Sequence, residues 1–393
     1  MTINSSRRNF IRGAAGASLF AIGGCKCLFG QQKIKLAVVG VMGKGFTDWT
    51  LMFKSGLVEV VAFCDADASM REKAQQQLAV KGIDFDMYRV PFYTDVRGLL
   101  DDAGKLGVEA MTISTPDHMH GYIAVQAMRQ GIHVYVQKPL VRTLWELDLF
   151  DKTARDNGVI TQMGNQGSAL NTMRRCTEVL QSGILGDVTE VHVWTNRPVW
   201  PQGFLAKEST LGRADPIKPG LNWDAWIGTA AMRNFKGEYK PGKKGYDPWN
   251  LCSGVYHSFS WRGFYDFGCG AFGDMACHTM NLPFRGLELG AVETAERVFV
   301  EDAGWDIAYP MKSTVKLVYA ARASKARPGV KLPAVDMYWY DGEQIPAFPK
   351  KVVDVLGKIP RTGCVIIGSK GILCSTNDYG GKSFVALKDE AKT

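Results

Sequence analysis

The residues of this sequence best suited to proton transfer are Asp274 and His278. They stand four apart, so on a helix the carboxylate and the imidazole share a face, and the acid can orient the ring and stabilise its protonated form. The same spacing also describes an N-cap acid followed by a core histidine. Lys138, ahead of Pro139 at the end of an apolar run, can hold a developing oxyanion or stand as a solvated turn lysine. His118 and His120 have the H-x-H spacing of two metal ligands, but no acid or thiol supports them at a ligand spacing, and no metal is expected. Nine cysteines, at 25, 27, 64, 176, 252, 269, 277, 364 and 374, include no CxxC pair and no histidine at zinc-site spacing, which points to buried thiols.

Such groups need a scaffold, and the first half of the chain reads as one. The run Ile34-Lys35-Leu36-Ala37-Val38-Val39 is a buried-strand pattern that leads straight into Gly40-Val41-Met42-Gly43-Lys44-Gly45 and a helix-length stretch to Lys54. Strand, glycine turn and helix form the context in which backbone N–H groups take a pyrophosphate. A G-x-G-x-x-G turn would put glycines at 40, 42 and 45; position 42 is Met, and Gly43 offers the permissive backbone instead. The next predicted strand, 58–64, ends at Asp65, where an acid accepts ribose hydroxyls or opens the helix that follows. An acid there repels a 2′-phosphate, and Ala66 and Asp67 bring no cation, so NAD is expected rather than NADP.

Helices predicted near 69–80, 95–103, 119–129 and 143–157 alternate with strands over 110–114, 133–136 and 159–163. That is the pattern of an α/β doubly wound parallel sheet. Later strands predicted over 188–195, 292–300, 313–319, 335–339, 364–367 and 371–374 lack regular intervening helices, and imply an α+β domain with a mostly antiparallel open sheet. The expected division is a nucleotide domain over 33–165 and a substrate and oligomerisation domain over 166–393. The second includes a long Gly-, Pro- and Trp-rich loop at 197–250. Trp200, Trp223, Trp226 and Trp249 in that loop can stack on sugar faces or pack the loop down.

Two segments follow strands of the first domain: Ser114-Thr115-Pro116-Asp117-His118-Met119-His120 and Val136-Gln137-Lys138-Pro139-Leu140. Further on come Gln162-Met163-Gly164-Asn165-Gln166-Gly167, the Trp261-Arg262-Gly263 stretch, and Gly273-Asp274-Met275-Ala276-Cys277-His278. With the glycine turn, this ordered set resembles the glucose-fructose oxidoreductase, inositol dehydrogenase and rhizopine catabolism (Gfo/Idh/MocA) oxidoreductases, and their twin-arginine-exported branch, over residues 33–375. The resemblance implies a Rossmann domain that holds NAD tightly through Gly40, Gly43, Gly45, Asp65, Thr115, Pro116, His120, Gln137 and Lys138. It implies catalytic roles for Lys138, Asp274 and His278, and substrate contacts from Asn165, Gln166, Trp261 and Arg262.

Oxidation of a secondary alcohol needs a base for the hydroxyl proton, a cation for the alkoxide and a nicotinamide for the hydride; His278, Lys138 and NAD would fill these roles. The implied substrate is a sugar, glycoside or polyol. The alternative is a redox-neutral, NAD-dependent glycoside hydrolase or lyase that passes through a transient keto-sugar. A pure NAD- or sugar-binding module would have no use for Lys138, Asp274 and His278 together. Two departures stand out: Met42 replaces a turn glycine, and Gln137 replaces the glutamate of an E-K-P segment, removing a charge beside the nicotinamide ribose.

Composition excludes other classes. With 46% hydrophobic and 22% charged residues, the chain is neither disordered nor a polytopic membrane protein. Of its net charge of +8, four units come from Arg7, Arg8, Arg12 and Lys26, and the rest is too scattered for a nucleic-acid partner. Ser6-Arg7-Arg8-Asn9-Phe10-Ile11-Arg12, followed by the Gly/Ala-rich stretch to Gly24, resembles a signal for the twin-arginine translocase, and that stretch is shorter than the ~20 residues of a spanning helix. Ile22-Gly23-Gly24-Cys25 resembles a lipobox with Cys25 acylated. Residues 1–30 are therefore expected to direct the protein to the periplasm or another exported location, and the resemblance implies a homo-oligomer. Replacing Arg7 and Arg8 by Lys should leave the protein in the cytoplasmic fraction; undiminished export on cell fractionation would show that residues 6–24 are not the signal.

Overall fold

The computed structural model describes residues 32–200, 202, 214–237, 254–301, 307–348 and 350–387. Residues 1–30, which the sequence suggests direct export, with Cys25 among them, and Trp249 lie outside the described residues. Two compact units are distinguished, the first comprising the described residues up to Gly164 together with Ile217–Arg233.

In the first unit, β1 (Ile34–Val39) is buried on both faces. Leu36 and Val38 enter one core with Phe46, Trp49 and Phe63; Ala37 and Val39 enter the other with Leu99, Ile113 and Met128. Burial on both faces is what a central parallel strand demands, and it explains the nearly unbroken apolar run. The order continues α1 (Lys44–Lys54), β2 (Val58–Cys64), α2 (Ser69–Val80), β3 (Phe92–Tyr93), α3 (Val96–Leu106), β4 (Ala110–Ile113), α4 (Asp117–Arg129), β5 (His133–Gln137), α5 (Leu144–Asp156) and β6 (Thr161–Gly164). The six strands are parallel, in the order β3-β2-β1-β4-β5-β6. In this doubly wound order ligands bind beyond the C-terminal strand ends. Local chemistry sets the helix ends. The Asp95 carboxylate caps α3 by accepting from the Arg97 N–H, Gly107 closes the helix in the left-handed region, and Thr143 and Glu146 form a capping box at the start of α5.

Residues 217–233 pack on this unit, although the sequence suggested that all of 197–250 belongs to the second domain. The Ala68 N–H donates to the Gly220 carbonyl at 2.8 Å, the Asn222 N–H donates to the Ala66 carbonyl at 2.8 Å, and Lys218 pairs with Asp67 at 2.5 Å. Beyond them Trp223 and Trp226 stack with centroids 4.7 Å apart, and the Trp223 indole N–H donates to the Arg233 carbonyl. Both indoles are buried, so packing the loop down is what these two tryptophans do.

The second unit comprises residues 165–216 and those from 234 onward. It contains α6 (Asn171–Gln181), β7 (Val188–Trp194), α7 (Gly270–Thr279), α8 (Asn281–Gly286), β8 (Val292–Val300), β9 (Ser313–Tyr319), the short ribbon β10 (Arg322–Ala323) and β11 (Lys331–Leu332), β12 (Val335–Tyr340), α9 (Lys350–Leu356), β13 (Gly363–Gly368), β14 (Gly371–Ser375) and β15 (Ser383–Leu387). Seven strands form one sheet in the order β15-β14-β13-β7-β12-β9-β8, and only β7 and β12 pair in parallel. Met173, Leu180, Met275 and Leu282 from the helices cover Val191, Val193, Met337 and Trp339 of the sheet. On a separate cluster, Val352 and Leu356 of α9 pack with Trp194 and Val365. An α/β Rossmann domain and an α+β domain with a mostly antiparallel sheet are thus both present, as the sequence implies.

Candidate active site

The glycine turn after β1 leaves no room for side chains at two positions. At Gly40 (φ +83°) a Cβ would sit 2.4 Å from the Ser114 carbonyl oxygen, and at Gly45 one would sit 1.9 Å from the Gly40 carbonyl oxygen. Gly43 (φ +61°) is the N-cap of α1, with open space around it. The permissive conformation thus falls at 43, and Met42 is free to pack into the core beside Phe46 and Trp49. No side chain caps α1 and no acid lies in its first turn, an arrangement suited to a dinucleotide pyrophosphate. Two groups brace the turn from behind. The Trp49 indole N–H donates to the Val41 carbonyl at 3.2 Å, and Asp65 accepts from the Val41 N–H and the Asp67 N–H, each at 3.1 Å.

Asp65 therefore binds the protein's own backbone as well as lying where a ribose acceptor is expected; each carboxylate oxygen keeps a second lone pair. Burial pushes its pKa up to about 6, against the two backbone N–H groups that favour the charged form. The sequence offered no cation near this acid, but the fold brings in Lys218, 151 residues from its partner Asp67. Ser69 donates to the same carboxylate through its N–H and hydroxyl. Although burial works against ionisation, these partners hold Asp67 below the usual carboxylate range. Asp67 thus takes up the lysine's charge.

Thr115 and Pro116 lie between β4 and α4, and the Thr115 hydroxyl oxygen is buried with no hydrogen-bond partner among the described residues. An orphaned hydroxyl at a strand end fits a polar ligand. His120 is fully buried, with Nδ1 2.7 Å from the Pro139 carbonyl oxygen and Nε2 2.9 Å from the Thr115 carbonyl oxygen. Its ring thus pins the two strand-end segments together, a structural task the sequence did not reveal; burial pushes its pKa down. His118 faces the Trp226 carbonyl at 3.0 Å. Among the described residues no three His, Cys, Asp or Glu side chains form a metal-ligating group. Gln137, at the end of β5, donates to Asp48, and Lys138 follows it, half-buried, before Pro139.

In the second unit Asp274 and His278 are buried one turn apart on α7. Arg262 donates through Nε to Asp274 at 3.3 Å and through a terminal nitrogen to the Phe259 carbonyl at 3.1 Å; its guanidinium lies over the rings of Phe259 and Trp261. Arg262 is thereby committed to steadying the acid, and Trp261 is buried beneath it. The Asn165 Nδ2 donates to the Cys277 carbonyl at 2.7 Å, while its Oδ1 is buried without a partner among the described residues. Gln166 donates to the Tyr379 hydroxyl, and the Tyr379 ring meets His278 edge to face at 5.3 Å. Gly167 (φ +86°) lies so close that a Cβ would stand 2.5 Å from that ring. Sequence reasoning missed Tyr379. Its only local signal is the Asn377-Asp378-Tyr379-Gly380-Gly381 turn, in which Asn377 accepts from the N–H groups of Tyr379 and Gly381.

Comparison with known proteins gives a match over residues 34–165 to the Gfo/Idh/MocA family model, described as an oxidoreductase family with an NAD-binding Rossmann fold. A glycosyl hydrolase family 109 protein of Akkermansia muciniphila is 28% identical over 162 residues, covering 40% of this chain and 32% of that protein. A levoglucosan dehydrogenase of Pseudarthrobacter phenanthrenivorans is 23% identical over 124 residues, covering 30% and 31%. Such matches span from 23% to 37% of the curated relatives' length. Among solved structures, an inositol dehydrogenase homolog from Azotobacter vinelandii complexed with NAD+ covers 95% of this chain and 77% of its own, with a TM-score of 0.58 at 17% identity, which is a likeness of fold.

Because the Asp65 value lies above that of an exposed aspartate, the folded state holds its proton more tightly than the unfolded chain. The stability this contributes is present below pH ~4 and is lost as pH rises toward about 6. Asp341, also raised to about 6 by burial, adds a slope of the same sign. Asp65→Asn should therefore flatten, without abolishing, the fall in melting temperature between about pH 4 and 6 in NAD-free buffer; a curve parallel to the parent's would show that Asp65 titrates as an exposed acid.

Proposed function

We propose, from the premise that residues 34–165 carry the NAD-binding Rossmann fold of the Gfo/Idh/MocA oxidoreductases, that this chain is an NAD-dependent oxidoreductase acting on a secondary hydroxyl of a sugar, glycoside or polyol. The observation that carries the reading is the glycine turn: a backbone stripped of side chains where it meets β4, opening a helix that no side chain caps, with Asp65 behind it. The levoglucosan dehydrogenase among the similar proteins supports the substrate class.

Bound NAD supplies the hydride acceptor. His278 takes the hydroxyl proton as general base, and Asp274, on the same helical face and steadied by Arg262, keeps the ring oriented and favours its protonated form. Lys138 holds the alkoxide as it develops. Asn165 Oδ1 accepts from a substrate hydroxyl, a role supported by its lack of any other partner among the described residues. The Tyr379 ring limits how far the His278 imidazole can turn. Export by the twin-arginine route, tight cofactor retention, lipid attachment at Cys25 and homo-oligomer assembly belong to the same reading, and the first two support each other, since that route carries folded, cofactor-loaded proteins.

A second reading has a specific observation in its favour, the similarity to a glycosyl hydrolase family 109 protein. Here the oxidation would be transient, and the neighbouring acidified C–H would permit loss of a glycosidic group before the hydride returns. Incubating the purified protein with a panel of glycosides and polyols separates the two by mass spectrometry. The dehydrogenase yields a keto product two hydrogens lighter than its substrate, whereas the redox-neutral enzyme releases a free sugar and aglycone. His278→Ala should slow either turnover by about 10²- to 10⁴-fold while NAD stays bound through desalting; activity within a few-fold of the parent would remove His278 from the base role.

A further inference from the structure

Position 137 is a departure from the E-K-P segment, with an amide where a carboxylate is expected. The structure brings a carboxylate to it from elsewhere. Gln137 is 5% exposed and its side chain lies against Gly164, where a Cβ would stand 2.5 Å from Nε2. That Nε2 donates to Asp48 Oδ2 at 2.6 Å. Asp48, on the second turn of α1, is equally buried, and its other oxygen pairs with Lys44 one turn back toward the glycine turn. A carboxylate only accepts, so it fixes which end of the amide faces it and turns Oε1 the other way, where the Lys138 N–H donates to it at 3.4 Å, a long bond that leaves its second lone pair open. Ser114, at the end of β4, approaches the same Asp48 oxygen at 3.5 Å, too far for a strong bond.

We infer that Asp48 carries the negative charge that position 137 lacks, and that Asp48 and Gln137 act as one positioning unit that presents the Gln137 carbonyl oxygen as acceptor to a hydroxyl of the bound dinucleotide. The inference rests on the dinucleotide-binding reading above. It makes the two positions interdependent. A glutamate at 137 would put two carboxylates at hydrogen-bond distance, where they share one proton and the pair's upper pKa rises. Asparagine at 48 with glutamate at 137 would restore one charge and one amide. The titratable groups that bear on the pair are Lys44 from α1, which favours the charged acid, and Tyr135 from β5, pushed up to about 12 by burial and by the Asp48 charge. Burial already raises Asp48 above the usual carboxylate range, leaving little capacity for a second charge.

The test compares the full chain with Gln137→Glu, Asp48→Asn and the Asp48→Asn/Gln137→Glu exchange by thermal unfolding across pH, each protein first cleared of any retained cofactor and then measured with and without saturating NAD. In Gln137→Glu the shared proton's contribution is fully present below pH ~4 and is lost progressively as pH rises toward the pair's raised pKa, so the melting temperature should fall relative to the parent from about pH 4 upward, by several degrees, and level off above that pKa. The NAD-induced rise in melting temperature should shrink over the same range. The exchange should run parallel to the parent in both measurements, although Asp48→Asn alone loses part of the NAD-induced rise with no new pH step. A Gln137→Glu curve parallel to the parent, or an exchange that keeps the step, overturns the pairing. Should the pH steps come as stated while NAD raises no melting temperature in the parent, the dinucleotide reading fails, and with it the role of the Gln137 carbonyl.

Discussion

At Gly40 the chain passes so close to the end of β4 that even a methyl group would overlap the Ser114 carbonyl oxygen, and Gly45 must in turn sit against Gly40. This approach joins β1 to α1 through a turn without side chains and exposes backbone N–H groups at a helix N-terminus. A bare turn has no packing of its own to stiffen it. Trp49 binds the carbonyl of Val41 and Asp65 its N–H, so one residue of the turn is held from both sides. The bracing has a cost, seen in the raised pKa of a carboxylate kept from water, and it gives the acid at the end of β2 a structural task. α1 then carries Asp48 back toward β5, so the end of that strand depends on the same turn.

The second unit solves a different problem, that of keeping polar groups poised inside a buried setting. Arg262 offsets the burial of Asp274, and aromatic rings on its guanidinium faces fix its orientation. Asn165 uses its donor on the α7 backbone and so keeps its acceptor unspent. Tyr379 bridges two parts of the chain by taking a hydrogen bond from Gln166 and lying edge-on to His278. An imidazole packed this way has little orientational freedom left to lose.

What the sequence made legible was local. The unbroken apolar run of β1, its glycines and the helix after them announce a parallel α/β sheet, and the strand-rich second half announces its own sheet, because periodicity and turn chemistry are properties of short windows. The partners that give the candidate site its character are far apart in the chain: Asp48 and Gln137, Asp67 and Lys218, Gln166 and Tyr379. No window contains both members of a pair, and Asp48, Lys218 and Tyr379 by themselves pass as ordinary surface or turn residues. The same limit hid α9 and β15, two short elements with no period long enough to read, and it assigned residues 217–233 to the second domain, when their backbone bonds run to residues 66 and 68. For His120 and Arg262, which the resemblance implies as ligand contacts, the structure adds partners within the protein.

The proposed chemistry requires hydride to pass between substrate and a nicotinamide held by the first unit. The most direct measurement uses the glycoside or polyol that the protein consumes, deuterated at its carbinol carbons, in a single turnover on the NAD-loaded protein followed by rapid quenching and mass spectrometry of the released cofactor. Deuterium should appear on the nicotinamide within the first turnover. Substrate consumed at full rate, with the cofactor still unlabelled at every quench time, would contradict it.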